Sequence, residues 1–183
     1  YILAAWALGI ILCLITLLTA EGYMAVTGQE LLPVSAWLKL TCMIVLNTFV
    51  YASVAYLTAL FVHSESAWSG LLTVVGTLVG FVGGIYLPMT MLPDTIAEIL
   101  KYLPVLHGAA MMREVCVEEA VAETFAGIPE TVTDMFRESM GISIILHDKE
   151  ITFAGQFLYL VLLGLAAAAV SALICRKRAL RDR

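Results

Sequence analysis

The sequence predicts an all-α, polytopic membrane protein: a bundle of four transmembrane helices with re-entrant or interfacial helices and a small outer helical cap. Hydrophobic residues fill 61% of the 183 positions and charged residues only 14%, whereas soluble domains are about 45–50% apolar and about 25% charged. The mean hydropathy is +0.95. The apolar runs are also long enough, because a helix that crosses a bilayer needs about 20 mostly apolar residues.

Four stretches meet that length, and they cover residues 2–20, 35–62, 69–87 and 153–175. The first and third contain no charged residue, and the second contains only Lys39, near one end. An ammonium group there can reach the membrane interface. We therefore expect one transmembrane domain over residues 1–183, with residues 88–152 as a re-entrant and outer cap region.

The basic residues predict the orientation. Five of them crowd the last eight positions, and cytoplasmic flanks of membrane spans carry an excess of Lys and Arg. The C-terminus is therefore predicted to be cytoplasmic, in a plasma (bacterial inner) membrane. Four spans then place residue 1 and the turn at 63–68 inside, although this turn contains no Lys or Arg.

The insertion begins at Pro88, which cannot continue a helix because it lacks an N–H and its ring clashes with the preceding turn. Thr95 and Glu98 have the spacing of a capping box, which predicts a helix starting at Thr95. Its apolar residues recur at i, i+3, i+4 and i+7. This helix is too short to span a bilayer and too apolar for water, so we expect it to be re-entrant or interfacial. We interpret the segment as an outer gate formed by Pro88, Pro93, Ile96, Ile99, Leu103 and Pro104.

Two further helices are predicted after Pro104. Gly127 ends the first, Pro129 opens the second, and Gly141 is expected to cap its C-terminus. Residues 142–153 are expected to be extended or a turn. Four glutamates of the first helix stand at i, i+4 spacing, which is typical of a solvated face. A cation site is the alternative for these glutamates: Glu114, Glu118, Glu119 and Glu123.

Small residues repeat every fourth position along the third span, at Gly76, Gly80 and Gly84. Such spacing lets helix backbones approach closely. We predict helix packing within the bundle, or alternatively a face that slides against or pairs with a second subunit.

Polar side chains are most frequent in the second span. Asn47, Thr48, Tyr51 and Thr58 either form hydrogen bonds between helices or line a passage for an amphipathic substrate. No ionisable residue stands in the middle of any predicted span, which counts against a proton- or ion-coupled carrier.

No residue is predicted to be catalytic, to bind a cofactor or to bind a metal. The chain has no HExxH, GxSxG or GxxxxGK[ST] motif, so it cannot bind ATP through a P-loop. Its four cysteines are scattered without a CxxC pair, and the histidines His63, His107 and His147 are isolated.

The stretch from His63 to Arg113 resembles type-2 ABC transporter permeases, the membrane subunits of ABC exporters. The resemblance rests on six features in the same order: a short cytoplasmic turn, a glycine-bearing span, a G-x-aromatic-x-P-x-x-x-L-P stretch, a re-entrant helix, an LP pair and an arginine. The residues that carry it are Gly84, Tyr86, Pro88, Leu92, Pro93, Leu103, Pro104 and Arg113. More weakly, it extends over residues 2–178.

The resemblance implies a transport subunit that pairs with a second permease subunit. Two cytoplasmic ATPase subunits, which hold ATP and Mg²⁺, would drive export of lipids, drugs, peptides or polysaccharides through the dimer interface. The four spans would correspond to the family's third to sixth spans. The family's main ATPase-coupling element would then precede residue 1, and residues 114–150 exceed the family's minimum. No nucleic-acid partner is expected.

Two alternatives remain open at this point. A secondary transporter or channel would respond to an ion gradient rather than to ATP. A membrane-anchored enzyme would use the acidic outer cap, with Glu118, Glu119 and His107 as its candidate residues.

Overall fold

The computed structural model describes residues 1–83, 91–146 and 149–181. The described residues form seven α-helices and one antiparallel pair of two-residue strands, β1 (Ile145–Leu146) and β2 (Lys149–Glu150). The predicted all-α class is confirmed. The helices are α1 (Ile2–Thr27), α2 (Val34–Ala59), α3 (Glu65–Val82), α4 (Asp94–Leu100), α5 (Pro104–Thr124), α6 (Glu130–Ser139) and α7 (Phe153–Arg181).

Three of the described helices, α1, α2 and α7, are long and apolar enough to cross a membrane. They coincide with the first, second and fourth predicted spans, so the prediction of a polytopic membrane protein is confirmed. The third predicted span, 69–87, includes most of α3, and its last four residues lie outside the described part of the chain. That span stays a prediction.

The first helix is longer than predicted. We expected it to end near residue 20, at the first acidic residue, but α1 continues to Thr27. Glu21 is buried inside the helix, and its carboxylate accepts the N–H of Leu32 at 3.4 Å. The helix ends at Gly28, whose φ of 72° is left-handed. A buried carboxylate with a local donor therefore permits the helix to continue until glycine ends it.

The chain divides into two compact units, residues Tyr1–Ser69 with Leu158–Arg183, and Gly70–Phe157. The expectation of a single transmembrane domain stays a prediction.

In the first unit, α1 packs antiparallel to α2. The indole N–H of Trp6 donates to the carbonyl of Val45 at 2.9 Å, and the Trp6 ring meets Phe49 edge-on at 5.4 Å between centroids. A Cβ on Gly9 would lie 3.2 Å from the methyl group of Thr48. The small residue at position 9 thus lets the two helices approach closely.

In the same unit, α2 and α7 lie side by side and run parallel. A Cβ on Gly164 would lie 3.0 Å from the Phe49 ring. Further along both helices, the Tyr56 hydroxyl and the Cys175 thiol are 3.5 Å apart. At the end, the guanidinium of Arg178 donates to the carbonyl of Leu60 at 2.8 Å. Because the contacts advance in the same direction along both helices, the C-termini of α2 and α7 lie at the same end of the unit.

In the second unit, a small apolar core joins α4, α5 and the segment before β1. Its buried members are Leu100, Leu106, Ala110 and Ile144. The predicted end of α6 is confirmed, because Gly141 has a φ of 63°. The N–H groups of Gly141 and Ile142 donate to the carbonyls of Glu138 and Arg137, at 3.0 and 2.8 Å, which is the Schellman arrangement.

The predicted capping box of α4 is wrong. The helix begins at Asp94, its N-cap is Pro93, and no side chain caps it. The N–H groups of Ile96 and Ala97 donate to the carbonyl of Pro93 at 2.9 and 3.0 Å. Glu98 instead pairs with Lys101 at 2.8 Å, one turn further along. The extended backbone of Pro93 sets the start of the helix and leaves Thr95 inside it.

Candidate functional site

Asn47 is the most unusual polar residue of the membrane-spanning helices. Its side chain is only 5% exposed, and neither Oδ1 nor Nδ2 has a hydrogen-bond partner among the described residues. A buried amide without partners is costly, and more so in a membrane, where no water can replace them. The predicted hydrogen bond between helices is therefore not formed by Asn47 within this part of the chain.

The other predicted passage residues differ in their surroundings. The hydroxyl of Thr48 donates to the carbonyl of Ile44 at 2.6 Å, and that of Thr58 donates to the carbonyl of Val54 at 2.9 Å. These hydroxyls are satisfied within their own helix, a common arrangement for threonine in helices. Tyr51 is 36% exposed on the helix surface. The hydroxyls of Thr48 and Thr58 are thus paired within α2, and the passage stays a prediction.

Two fully buried serines lie in the same unit, Ser53 on α2 and Ser171 on α7. Ser171 donates to the carbonyl of Ala167 at 2.8 Å, whereas the Ser53 hydroxyl has no partner among the described residues. The sequence places Ser53 in the most polar span, but single serines in apolar runs give no signal of burial.

The predicted glycine face of α3 is described only in part. A Cβ on Gly76 would meet nothing within 4 Å. Gly80 is buried, and Gly84 lies outside the described residues. Close packing between helices occurs instead at Gly164 on α7, against Phe49 and Val50. The packing role of Gly76, Gly80 and Gly84 stays a prediction.

The predicted gate centres on α4. Leu100 packs into the core, whereas Ile96, Ile99 and Leu103 are exposed. Pro93 precedes the helix, and Pro104 is the first residue of α5. Pro88 lies outside the described residues. The apolar stripe is thus split: one leucine anchors α4, and three exposed side chains are available to lipid or to another subunit.

A cavity of about 390 Å³ lies beside α4, a volume in the range of small-molecule sites. Its lining includes the Glu98–Lys101 ion pair and Glu138. The other residues that line the cavity are Leu92, Ala97, Leu106, Gly141, Ser143, Ile144 and Ile145. The cavity leaves space between α4 and the segment that follows α6.

His107 is a buried residue of α5 that contacts the end of α4. It is 3% exposed, and its Nε2 lies 2.9 Å from the carbonyl of Lys101. Burial lowers the pKa of His107, although the hydrogen bonds to the Lys101 carbonyl and to the Gln156 side chain act in the opposite direction. Burial thus favours the neutral imidazole. Gln156 is itself buried and donates to the carbonyl of Ile151 at 3.2 Å.

Arg113, on α5, contacts the ends of two other helices. Its guanidinium donates to the carbonyl of Gly83, just beyond α3, and to the carbonyl of Gly141, just beyond α6, the latter at 3.4 Å. Burial lowers the pKa of Arg113. Carbonyls at or just beyond a helix C-terminus lack partners within the helix and lie where its partial charge is negative, so they suit the half-buried guanidinium of Arg113.

Helix α5, with its acidic face, carries the candidate residues of the enzyme hypothesis. His107 and Glu118 are eleven positions apart on one helix, about 16 Å along its axis. Glu114 pairs with Arg137 at 3.4 Å. Among the described residues, no group of three His, Cys, Asp or Glu side chains could hold a metal ion. The structure therefore does not bring His107 and Glu118 together.

Comparison with known proteins finds one family that matches the chain. Residues 1–173 match the model of a family described as ABC-2 family transporter protein. No curated protein and no solved structure matches the chain. The match includes α1 to α6 and most of α7.

Proposed function

The chain belongs to the ABC-2 transporter family, and from this we propose that it is the permease subunit of an ATP-driven exporter. A separate ATPase subunit binds ATP and Mg²⁺ in the cytoplasm. A second permease subunit, identical or related, completes the passage at the interface between the two. The protein is a multi-pass component of the plasma (bacterial inner) membrane.

The match over residues 1–173 is the observation that carries this proposal. Three described helices long enough to cross a membrane support it. The match includes the transmembrane helices and also α4, α5 and α6, which supports a role in the transporter for the region between α3 and α7.

The parallel pairing of α2 and α7 supports a cytoplasmic C-terminus. Arg178 reaches the carbonyl of Leu60, where α2 ends. The turn after α2 has no basic residue of its own, but the basic end of α7 lies next to it. The turn after α2 and the end of α7 therefore share the same basic residues, as expected at the cytoplasmic surface. The 21–33 connection and the α4–α6 region then face outward.

In this proposal, α2 contributes to the lining of the passage, and α4 carries the predicted outer gate. Asn47 and Tyr51 supply the polar groups of the lining, beside Thr48 and Thr58, which pair within their own helix. The exposed apolar residues of α4 face the hydrocarbon part of the substrate or the second subunit.

The position of the charged residues favours ATP over an ion gradient. Within α1, Glu21 lies near the outer end and bonds the α1–α2 connection. Lys39 lies near the start of α2. Ion-coupled carriers place ionisable groups inside the membrane, facing the bundle or a water-filled cavity. Among the described spans, these two side chains lie towards helix ends.

The test uses the full-length protein, co-expressed with a P-loop ATPase encoded beside it, in inside-out vesicles. Two probes represent the substrate classes: ethidium for cationic drugs and a fluorescent phosphatidylethanolamine for lipids. We expect Mg-ATP to drive uptake or flipping of at least one probe. A matched ATPase variant lacking its P-loop lysine should abolish the signal.

Transport that proceeds without the ATPase would contradict the proposal. Transport that stops only when an ionophore collapses the proton or sodium gradient would identify the secondary transporter or channel instead.

A further inference from the structure

We propose that Arg113 is a positioning residue that holds the outer ends of α3, α5 and α6 together, so that they move as one body during transport. The transport part of this inference rests on the proposed function. The contact itself does not rest on the proposed function. Arg113 and both of its acceptors lie within the unit Gly70–Phe157.

The contacts of Arg113 join three helices through one side chain. It projects from α5, donates to Gly83, which follows α3, and donates to Gly141, which follows α6. Both acceptors are backbone carbonyls of buried glycines. A guanidinium suits this role because its donors form a rigid fork that can reach two acceptors at once.

The charge of Arg113 is balanced by helix ends instead of by a carboxylate. Among the described residues, Arg113 has no acidic partner, whereas Arg137, nearby in the outer region, pairs with Glu114. The carbonyl end of a helix carries about half a negative charge. Arg113 is half-buried, and the two carbonyls together offset its guanidinium only while both stay in place, so moving either segment away leaves a half-buried charge uncompensated.

This dependence gives Arg113 its mechanical role. The carbonyl of Gly83 belongs to the outer end of a predicted membrane span, whereas α6 belongs to the outer cap. A second contact on α5, from His107 to the carbonyl of Lys101, holds the end of α4. Helix α5 thus contacts the end of α4 through His107 and the residues that follow α3 and α6 through Arg113, in addition to the Glu114–Arg137 ion pair with α6. Motion of α3 is transmitted through Arg113 to the cap.

The test measures a distance inside this unit in the full-length transporter. Spin labels are attached to Leu78→Cys on α3 and Met135→Cys on α6, both exposed positions, after the four native cysteines are replaced by alanine. With Arg113 present, we expect one narrow distance distribution. In Arg113→Met, the separated population should rise roughly tenfold, the scale of losing charge-assisted hydrogen bonds to buried carbonyls.

The matched control is Arg137→Met, which removes one positive charge from the same region but leaves both glycine carbonyls paired. It should leave the distribution narrow. Arg113→Lys, with a single cationic group, should restore part of the narrow population. A purely structural role would lower the yield without this graded rescue.

A distribution in Arg113→Met as narrow as in the wild type would overturn the inference. If Arg113→Met does not fold, Arg113→Gln replaces it, and an unchanged distribution there overturns the inference equally. Failure of the proposed function is distinguishable, because it would abolish ATP-driven transport in the wild type without altering these distances.

Discussion

Single buried side chains determine how the outer region is held together, and His107 makes this measurable by pH. Its native pKa lies below the ordinary 6.5 because burial disfavours the charged form. Below pH 6.5 the unfolded chain therefore binds a proton that the native protein excludes. Stability conferred by the neutral imidazole is complete above pH 6.5 and decreases as pH falls towards the native pKa.

We expect thermal unfolding of the purified protein to shift to lower temperature between pH 7 and pH 5.5. His107→Asn should flatten this dependence. His63→Asn is the control, because His63 is exposed and should leave the slope unchanged. An equal slope in His107→Asn and the wild type would show that another group is responsible.

Gly164 determines how closely α2 and α7 can approach. In Gly164→Ala, the new Cβ would lie 3.0 Å from the Phe49 ring and 3.2 Å from Val50. The Phe49 ring cannot retreat freely because Trp6 packs against it. We expect a loss of about 1–3 kcal/mol in unfolding free energy, as in overpacked cores, measured by denaturant titration in detergent.

Two further variants test this steric explanation. Gly70→Ala is the control, since its Cβ would meet nothing within 4 Å, and it should be neutral or slightly stabilising. Phe49→Leu should relieve part of the loss in Gly164→Ala. If the two alanine variants behave alike, crowding against Phe49 is not the cause.

At the scale of elements, the exposed apolar residues of the predicted gate allow an effect on transport to be measured without a large effect on stability. Replacing Ile96, Ile99 and Leu103 together by serine changes exposed side chains only. Surface substitutions usually change stability by about 0.5 kcal/mol or less each. We expect ATP-driven transport to fall while binding of the ATPase subunit, measured by co-purification, stays unchanged.

The matched control replaces three other exposed apolar side chains, on α6 and the segment just before it: Ile128, Val132 and Met135. Serine at these positions should affect transport less. Unchanged transport in the α4 variant would refute the gate, and equal losses in both variants would indicate a general loss of membrane contact.

The elements themselves were largely predictable, whereas their ends were not. Hydropathy alone located α1, α2 and α7, because a bilayer demands long apolar helices. The end of α1 was missed because burial of Glu21 depends on the N–H of Leu32. The start of α4 was misplaced because Pro93, and not the capping-box pattern, determines it.

The contacts of Arg113 could not be predicted for a different reason. Its acceptors are backbone carbonyls 30 and 28 positions away. Every residue has a backbone carbonyl, so the residue type does not reveal which carbonyl accepts the hydrogen bond. The same applies to His107 and the carbonyl of Lys101. Asn47 was singled out from its residue type, but only coordinates show that its amide has no partner in the part of the chain that the structure describes.

At the scale of the whole molecule, the predicted topology can be tested by labelling from each side of the membrane. Single cysteines replace the exposed residues Glu30, Glu65, Glu130 and Lys177 in a cysteine-free background of the full-length protein. A membrane-impermeant maleimide added to intact cells should label the first and third. The other two should react only after permeabilisation. Labelling of the Lys177 position in intact cells would reverse the assigned orientation.

The pairing of α2 with α7 has a consequence for how the protein is made. Tyr56 and Cys175 are 119 positions apart, so their contact cannot form until the ribosome has synthesised α7. Until then, the surface of α2 around Phe49 and Val50 lacks the helix that covers it. A nascent or truncated chain without α7 therefore shows membrane quality-control proteases a surface that the finished protein conceals.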